Sequence, residues 1–313
     1  MSGARTGLLF PGQGSQFVGM GKDLADAFPE ARRTFEEADD ALGTALSRLC
    51  WEGPAEELTL TINAQPAILV HSVAVWRVVA ERVPAVSMAA GHSLGEFSAY
   101  VAAGALGFAD AVRTVRRRGE LMYHSGNERP GTMAAVIGLD DAVVDAVCEE
   151  TSQKTGEAVV PANFNAPGQI VISGDTAAVE AAAEPLKAAG AKRVLPLNVS
   201  GAFHSPLMRV AEAGLGEQLD SVEIRDPSFP VVSNVTAQPV REAATARTLL
   251  LEQLTSAVRW VASMQAMRAA GVESFVELGP GQVLAGLMKR IDRSAPVHSL
   301  GGVDEVRTFL EEG

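Results

Sequence analysis

The chain has 313 residues, 47% hydrophobic and 20% charged, with a formal net charge of −12, which suits one large domain or one domain carrying a smaller insert. So acidic a chain excludes nucleic acid as the expected partner, because phosphate binding needs clustered Lys and Arg, and it has no attraction for an anionic membrane. Two distant cysteines, Cys50 and Cys148, show no metal or redox spacing, and no apolar run approaches the ~18 residues of a membrane span, so a cytoplasmic protein without a metal is expected.

Leu8-Leu9-Phe10 predicts a short buried strand that stops at Pro11-Gly12, too early for a signal peptide. The loop Pro11-Gly12-Gln13-Gly14-Ser15-Gln16 misses the dinucleotide fingerprint, since Phe17 stands where G-x-G-x-x-G needs glycine. It reads instead as backbone that must approach something closely. A polar helix follows near 22–41, then an apolar helix over 65–83 with Pro66 in its first turn.

The apolar run 86–90 leads into Gly91-His92-Ser93-Leu94-Gly95-Glu96 and a helical run over 97–105. Strand, sharp turn and helix around G-x-S-x-G form a nucleophile elbow, which presents Ser93 above a sheet with helix N–H groups aimed at a developing oxyanion. An arginine-rich helix is expected over 109–123.

A different rhythm begins near 131: strand 132–139, helix 142–150 capped by Asp140-Asp141, strands 158–163 and 169–173, helix 176–189, strand 192–199. That order, βαββαβ, is the ferredoxin-like unit. Beyond it come helix 206–219, strand 231–234, helices 243–257 and 261–270, strand 274–278, helix 283–291 and strand 297–300. Alternating strands and helices predict an α/β fold with a mostly parallel sheet covered on both faces. The expected division is residues 1–128 with 201–313 as the large subdomain and 129–200 as the small one.

A serine nucleophile needs a base. His71 sits in an apolar helix, His92 points away from its neighbour Ser93, His124 ends a polar helix, and His298 has no site signal around it. His204, on the loop Ser200 to Pro206 after the small subdomain, can be held over a pocket. The carboxylates between Ser93 and His204, namely Asp140, Asp141, Asp145 and Asp175, lie in the insert. A dyad is therefore expected, its imidazole oriented by something other than an acid. Arg118 leans toward the apolar face of its helix, with Ala111, Val115 and Met122 at −7, −3 and +4. Arg113, Arg116 and Arg117 are expected in solvent. A buried arginine wants an anion, and its fork suits a carboxylate, so the acyl group is expected to carry a free carboxylate.

These motifs, with Arg118-Gly119, Asn163-Phe164-Asn165-Ala166-Pro167-Gly168, Gly201-Ala202-Phe203-His204-Ser205 and Glu277-Leu278-Gly279-Pro280-Gly281, occur in an order that resembles the malonyl-CoA:acyl-carrier-protein transacylases over nearly the whole chain. The resemblance implies an α/β-hydrolase-like core with a ferredoxin-like subdomain in a free-standing acyltransferase. It implies Ser93 as nucleophile, His204 as base, the backbone N–H groups of Gln13 and Leu94 as oxyanion hole, and Arg118 as the clamp on the malonyl carboxylate. A backbone carbonyl orients the histidine in that family, and the matching position is Arg259, although some members have Gln there and Pro where this chain has Ala257. Phe203 and Leu94 resemble malonyl-selecting members, in which a bulky ring crowds an α-methyl group.

The implied partners are malonyl-CoA and an acyl carrier protein, for fatty-acid or polyketide synthesis. No cofactor is implied beyond the carrier's own phosphopantetheine, and the enzyme is expected to be a monomer. A hydrolase using the same Ser–His pair is the alternative, but it gives Arg118 less purpose. A carrier-docking module without activity has no use for the three residues together. Because carrier proteins are acidic, docking calls for a local basic patch, with Arg113, Arg116, Arg117, Lys187, Lys192, Arg193 and Lys289 as candidates.

Overall fold

The computed structural model describes residues 5–83 and 85–312. Among these, ten strands form two sheets: β1 (Thr6–Phe10), β2 (Val86–Gly91), β3 (Gly131–Ile137), β4 (Val159–Ala166), β5 (Gln169–Asp175), β6 (Arg193–Pro196), β7 (Val231–Val232), β8 (Pro239–Val240), β9 (Ser274–Leu278) and β10 (Val297–Leu300). The larger sheet runs β10-β9-β1-β2-β7-β8. Its pairings are parallel except β7–β8. The smaller sheet, β4-β5-β3-β6, is antiparallel throughout and carries the strand order of a ferredoxin-like unit.

A strand covered on both faces reads as a continuous apolar run, and β1 is buried at all five positions. Leu8 and Phe10 share one core with Ile68, Val70 and Val73 of the helix Thr61–Val79. Leu9, pointing the other way, packs with Trp260, Met264 and Leu284. The smaller sheet has its own core, in which Val136, Ile170 and Ile172 meet Val144, Val179 and Leu186 from its two helices. The smaller sheet is tied by backbone to the segment before the helix Trp260–Ala269: Val258 N donates to Ala162 O at 2.8 Å and Phe164 N to Val258 O at 2.9 Å.

Several elements differ from the sequence expectation, each for a local reason. The helix near 22–41 is two, Lys22–Ala27 and Pro29–Leu42. Phe28 is extended because a residue before proline is pushed out of the α region. The apolar helix begins a turn early, at Thr61, so Pro66 lies inside it, and tight packing of 14 buried residues along that helix holds a position that propensity disfavours. The expected helix 206–219 is a 3₁₀ turn, Pro206–Ala211, followed by Glu212–Asp220. The helix from Ala243 stops at Glu252, not 257. Short helices Leu46–Glu52 and Ala55–Thr59, strand β8 and the helix Val303–Glu312 add to the elements that the sequence pattern predicts.

Candidate active site

β2 delivers the chain to the elbow and the helix Gly95–Ala102 carries it away. Ser93 at the apex has φ 51°, a left-handed conformation rare for a residue with a side chain. The flanking glycines are required by contact: a Cβ on Gly91 would fall 1.9 Å from Gly95 C, and one on Gly95 would fall 2.2 Å from Phe10 O. Asn234, just beyond β7, braces the turn from both sides. Its Oδ1 accepts from Ser93 N at 2.7 Å, and its Nδ2 donates to Gly91 O at 2.7 Å.

Ser93 Oγ lies 2.8 Å from His204 Nε2. His204 is also left-handed, at φ 56°, and is 4% exposed. Its Nδ1 lies 2.9 Å from Gln253 O and 3.2 Å from Ser256 O. Carbonyls only accept, so Nδ1 carries the proton and Nε2 keeps a lone pair facing Ser93. The serine hydroxyl then donates to His204. Burial, with Arg118 second, pushes the imidazole down to about 3, so it is neutral at pH 7.

The orienting carbonyl is therefore not that of Arg259. Arg259 O is taken by Ser263 N at 2.9 Å and Ser263 Oγ at 3.0 Å, because it starts the helix Trp260–Ala269. The carbonyls that serve come from the end of the preceding helix, where the final C=O groups have no intrahelical partner. Gln253 is the C-cap of that helix and Ser256 lies in the turn after it.

Arg118 is 1% exposed. Its Nη1 donates to Gln65 Oε1 at 2.6 Å, and Nη2 donates to Gln253 Oε1 at 2.9 Å and Ser93 Oγ at 3.1 Å. All three acceptors are neutral. Burial lowers its pKa to about 10, which leaves it a cation at pH 7. Arg113 and Arg117 are exposed and paired with Asp110 and Glu120. Arg116, expected in solvent, is half-buried and donates to Asn63 Oδ1 at 2.7 Å.

The Gln13 loop lies against the elbow so closely that a Cβ on Gly12 would fall 2.5 Å from His92 O. Gln13 Oε1 accepts from Thr61 Oγ1 at 2.9 Å, and Thr61 Oγ1 accepts from Gln65 Nε2 at 2.9 Å. A chain of hydrogen bonds thus runs from Arg118 through Gln65 and Thr61 to Gln13. Among the described residues, the N–H groups of Gln13 and Leu94 have no protein acceptor. Both residues line the cavity of about 180 Å³ that holds Ser93, His204 and Arg118. Its other walls include Met122, Met133, Val171 and Phe203. An outer cleft of about 400 Å³, lined by Leu60, Asn198 and Ser200, shares Gln13 and Val199 with it.

Among the described residues, no other histidine is hydrogen-bonded to Ser93 Oγ. His71 is fully buried with Nε2 2.8 Å from Gly301 O, and His124 and His298 are exposed. His92 turns from Ser93 toward the small subdomain, its Nε2 2.8 Å from Asn165 Oδ1. Sequence reasoning missed Gln65, Asn234, Gln253 and Glu96. Each is a polar side chain beside an apolar run, and all four are at most 1% exposed, so a buried amide or acid that must find partners was the available signal.

The acyl transferase domain family matches residues 8–304. A malonyl CoA-acyl carrier protein transacylase of Bacillus subtilis is 51% identical over 290 residues, covering 93% of this chain and 91% of its own. The protein of the same name from Escherichia coli K12 is 49% identical over 304 residues, covering 97% and 98%. An acyl carrier protein S-malonyltransferase from Vibrio cholerae has the same fold, with a TM-score of 0.93, 42% identity and coverage of 97% of this chain and 99% of that one. A malonyl-transacylase solved in complex with its type II PKS acyl-carrier protein gives 0.95, 45%, 99% and 100%. With its motifs, fold and near-complete coverage in agreement, this chain belongs to the malonyl-CoA:acyl-carrier-protein transacylase family.

Proposed function

We propose that the chain moves a malonyl group from malonyl-CoA to the phosphopantetheine thiol of an acyl carrier protein, through an ester on Ser93. His204 Nε2 takes the hydroxyl proton as Ser93 Oγ attacks the thioester carbonyl, and the oxyanion forms against the N–H groups of Gln13 and Leu94. The intermediate collapses, the C–S bond breaks, and His204 returns the proton to the CoA thiolate. The carrier thiol then gives its proton to His204 and attacks the ester; the C–O bond to Ser93 breaks, and His204 returns that proton to Ser93 Oγ. One serine serves both partners in turn, so the kinetics are ping-pong. In this reading no metal or organic cofactor takes part, and residues 1–128 with 201–313 hold the nucleophile while 129–200 closes the pocket. The enzyme works as a cytoplasmic monomer. Among the described residues no helix is long and apolar enough to cross a membrane.

Arg118 carries the reading. A buried cation 3.1 Å from the nucleophile oxygen, with only neutral acceptors around it, is a place for an acyl carboxylate. Phe203 and Leu94 narrow the space beside the α-carbon. The test is malonyl-CoA with and without the phosphopantetheinylated carrier, following free CoA and malonyl-carrier. Carrier-dependent release of CoA with one malonyl-carrier per CoA is expected. CoA release that continues without the carrier, beyond the one equivalent that acylates Ser93, makes the protein a hydrolase and ends the proposal.

A further inference from the structure

Behind the Ser93–His204 pair lies a polar layer that the transfer steps do not use. Glu96, in the first turn of the helix Gly95–Ala102, is fully buried. Its Oε2 accepts from Gln253 Nε2 at 2.7 Å and from Asn234 N at 3.1 Å, while Oε1 has no hydrogen-bond partner. Gln253 Oε1 accepts from Arg118 Nη2 at 2.9 Å. A single amide therefore stands between a buried cation and a buried acid, its oxygen toward Arg118 and its nitrogen toward Glu96. That is the orientation an amide dipole takes between those charges. Among the described residues no ion pair reaches either group directly. The other titratable groups facing this layer are Tyr100, one turn along the same helix with its hydroxyl unpartnered, and His204 across Arg118.

The geometry points to Glu96 as the resident counter-charge of Arg118, held one amide away, which sets how strongly the site prefers an acyl group bearing a carboxylate over a neutral one. The inference rests on the malonyl-transfer reading. A carboxylate in direct contact with Arg118 would occupy the fork that the acyl carboxylate needs. One separated by an amide leaves the second Nη1 hydrogen, and the Nη2 hydrogen now on Ser93 Oγ, for the acyl carboxylate, but offsets part of the charge, so malonyl is gripped without being trapped. Burial raises the Glu96 carboxyl to about 7, against the pull of Asn234, Gln253 and Arg118. At pH 8 it is therefore mostly ionised, and that is the pH at which to test it.

The test compares kcat/KM for malonyl-CoA and acetyl-CoA in the parent, Glu96→Gln and Glu96→Asp enzymes. Glutamine keeps the acceptor for Gln253 and removes the charge. The malonyl-to-acetyl ratio is expected to rise about threefold or more, because two unit charges across one amide at an effective dielectric near 20 interact by more than that factor. Any misplacement of Ser93 or His204 slows both substrates alike and cancels in the ratio. Aspartate keeps the charge and withdraws it by only one methylene, so both rates fall together while the ratio changes by no more than about twofold. This second variant tests the inference even if the first fails to fold. A ratio that stays level or falls in Glu96→Gln, or one that shifts more than about twofold in Glu96→Asp, overturns it. A parent enzyme that does not transfer malonyl at all refutes the functional reading instead.

Discussion

Replacing Arg118 by alanine separates its two relations, one to Ser93 and one to the acyl carboxylate. A charge-assisted hydrogen bond is worth roughly 1.5–3 kcal/mol, so malonyl transfer falls on the order of tenfold to a hundredfold or more. Acetyl transfer has no carboxylate to lose and is spared. Arg118→Lys recovers little, since an ammonium cannot reach Gln65, Gln253 and an acyl carboxylate with one planar fork. The measurement is kcat/KM for both thioesters. An equal fall in both makes Arg118 a structural residue only. That Ser93, His204 and Arg118 would come together, as they do, was legible in the sequence because each stands out through its own side chain and its immediate neighbours. The histidine's orienting partner was not, because a free carbonyl is a property of where a helix ends rather than of any residue type.

At the level of elements, the end of one helix decides which carbonyl is free. Had the helix from Ala243 run to 257, the Gln253 carbonyl would have been bonded to the amide four residues on, and only a later carbonyl such as that of Arg259 could have served His204. The real helix stops at Glu252, which frees Gln253 O for His204 Nδ1 and lets the chain at Val258 join β4. The elbow was legible for the opposite reason: backbone contact dictates its glycines, so the sequence must carry them. Its brace from Asn234 was invisible, since β7 and β2 are distant in the chain and adjacent only in the sheet. Asn234→Ala strips a partner from both Ser93 N and Gly91 O. At roughly 1–3 kcal/mol for each buried group left unpaired, the melting temperature is expected to fall by about 3 °C or more, and kcat with it. An unchanged Tm and kcat would show that the elbow holds its shape alone.

At the scale of the whole molecule, burial sets the response to pH. His204 and His71 are pushed down to about 3 and about 4, below the unfolded value near 6.5. Their contribution is present above pH 6.5 and is lost as pH falls, because the unfolded chain binds protons that the folded chain refuses. Glu96, raised to about 7, acts in the other sense: the folded state holds a proton that the unfolded state releases above about 4.5, so its penalty grows as pH rises through 7. Two histidines outweigh one glutamate below about pH 6, at roughly 1.4 kcal/mol per pH unit for each net proton. Thermal melts are expected to be flat near pH 7 and to decline below about 6. A Tm constant down to pH 4.5 would mean these histidines are not held neutral. The two-sheet architecture that buries them was readable from the order of strands and helices, since each sheet type imposes its own rhythm. Helix ends and the short elements at 46–59 and 303–312 were not, because tertiary packing decides them.

The proposed transfer turns on whether Ser93 carries the acyl group between donor and acceptor. It is tested most directly by peptide mass analysis of the enzyme mixed with malonyl-CoA, then chased with the phosphopantetheinylated carrier. One malonyl mass is expected on the peptide containing Ser93, absent from Ser93→Ala, and discharged by the carrier with malonyl-carrier appearing in equal amount. Carrier malonylation at full rate with the adduct on another residue, or with no adduct on Ser93, would contradict it.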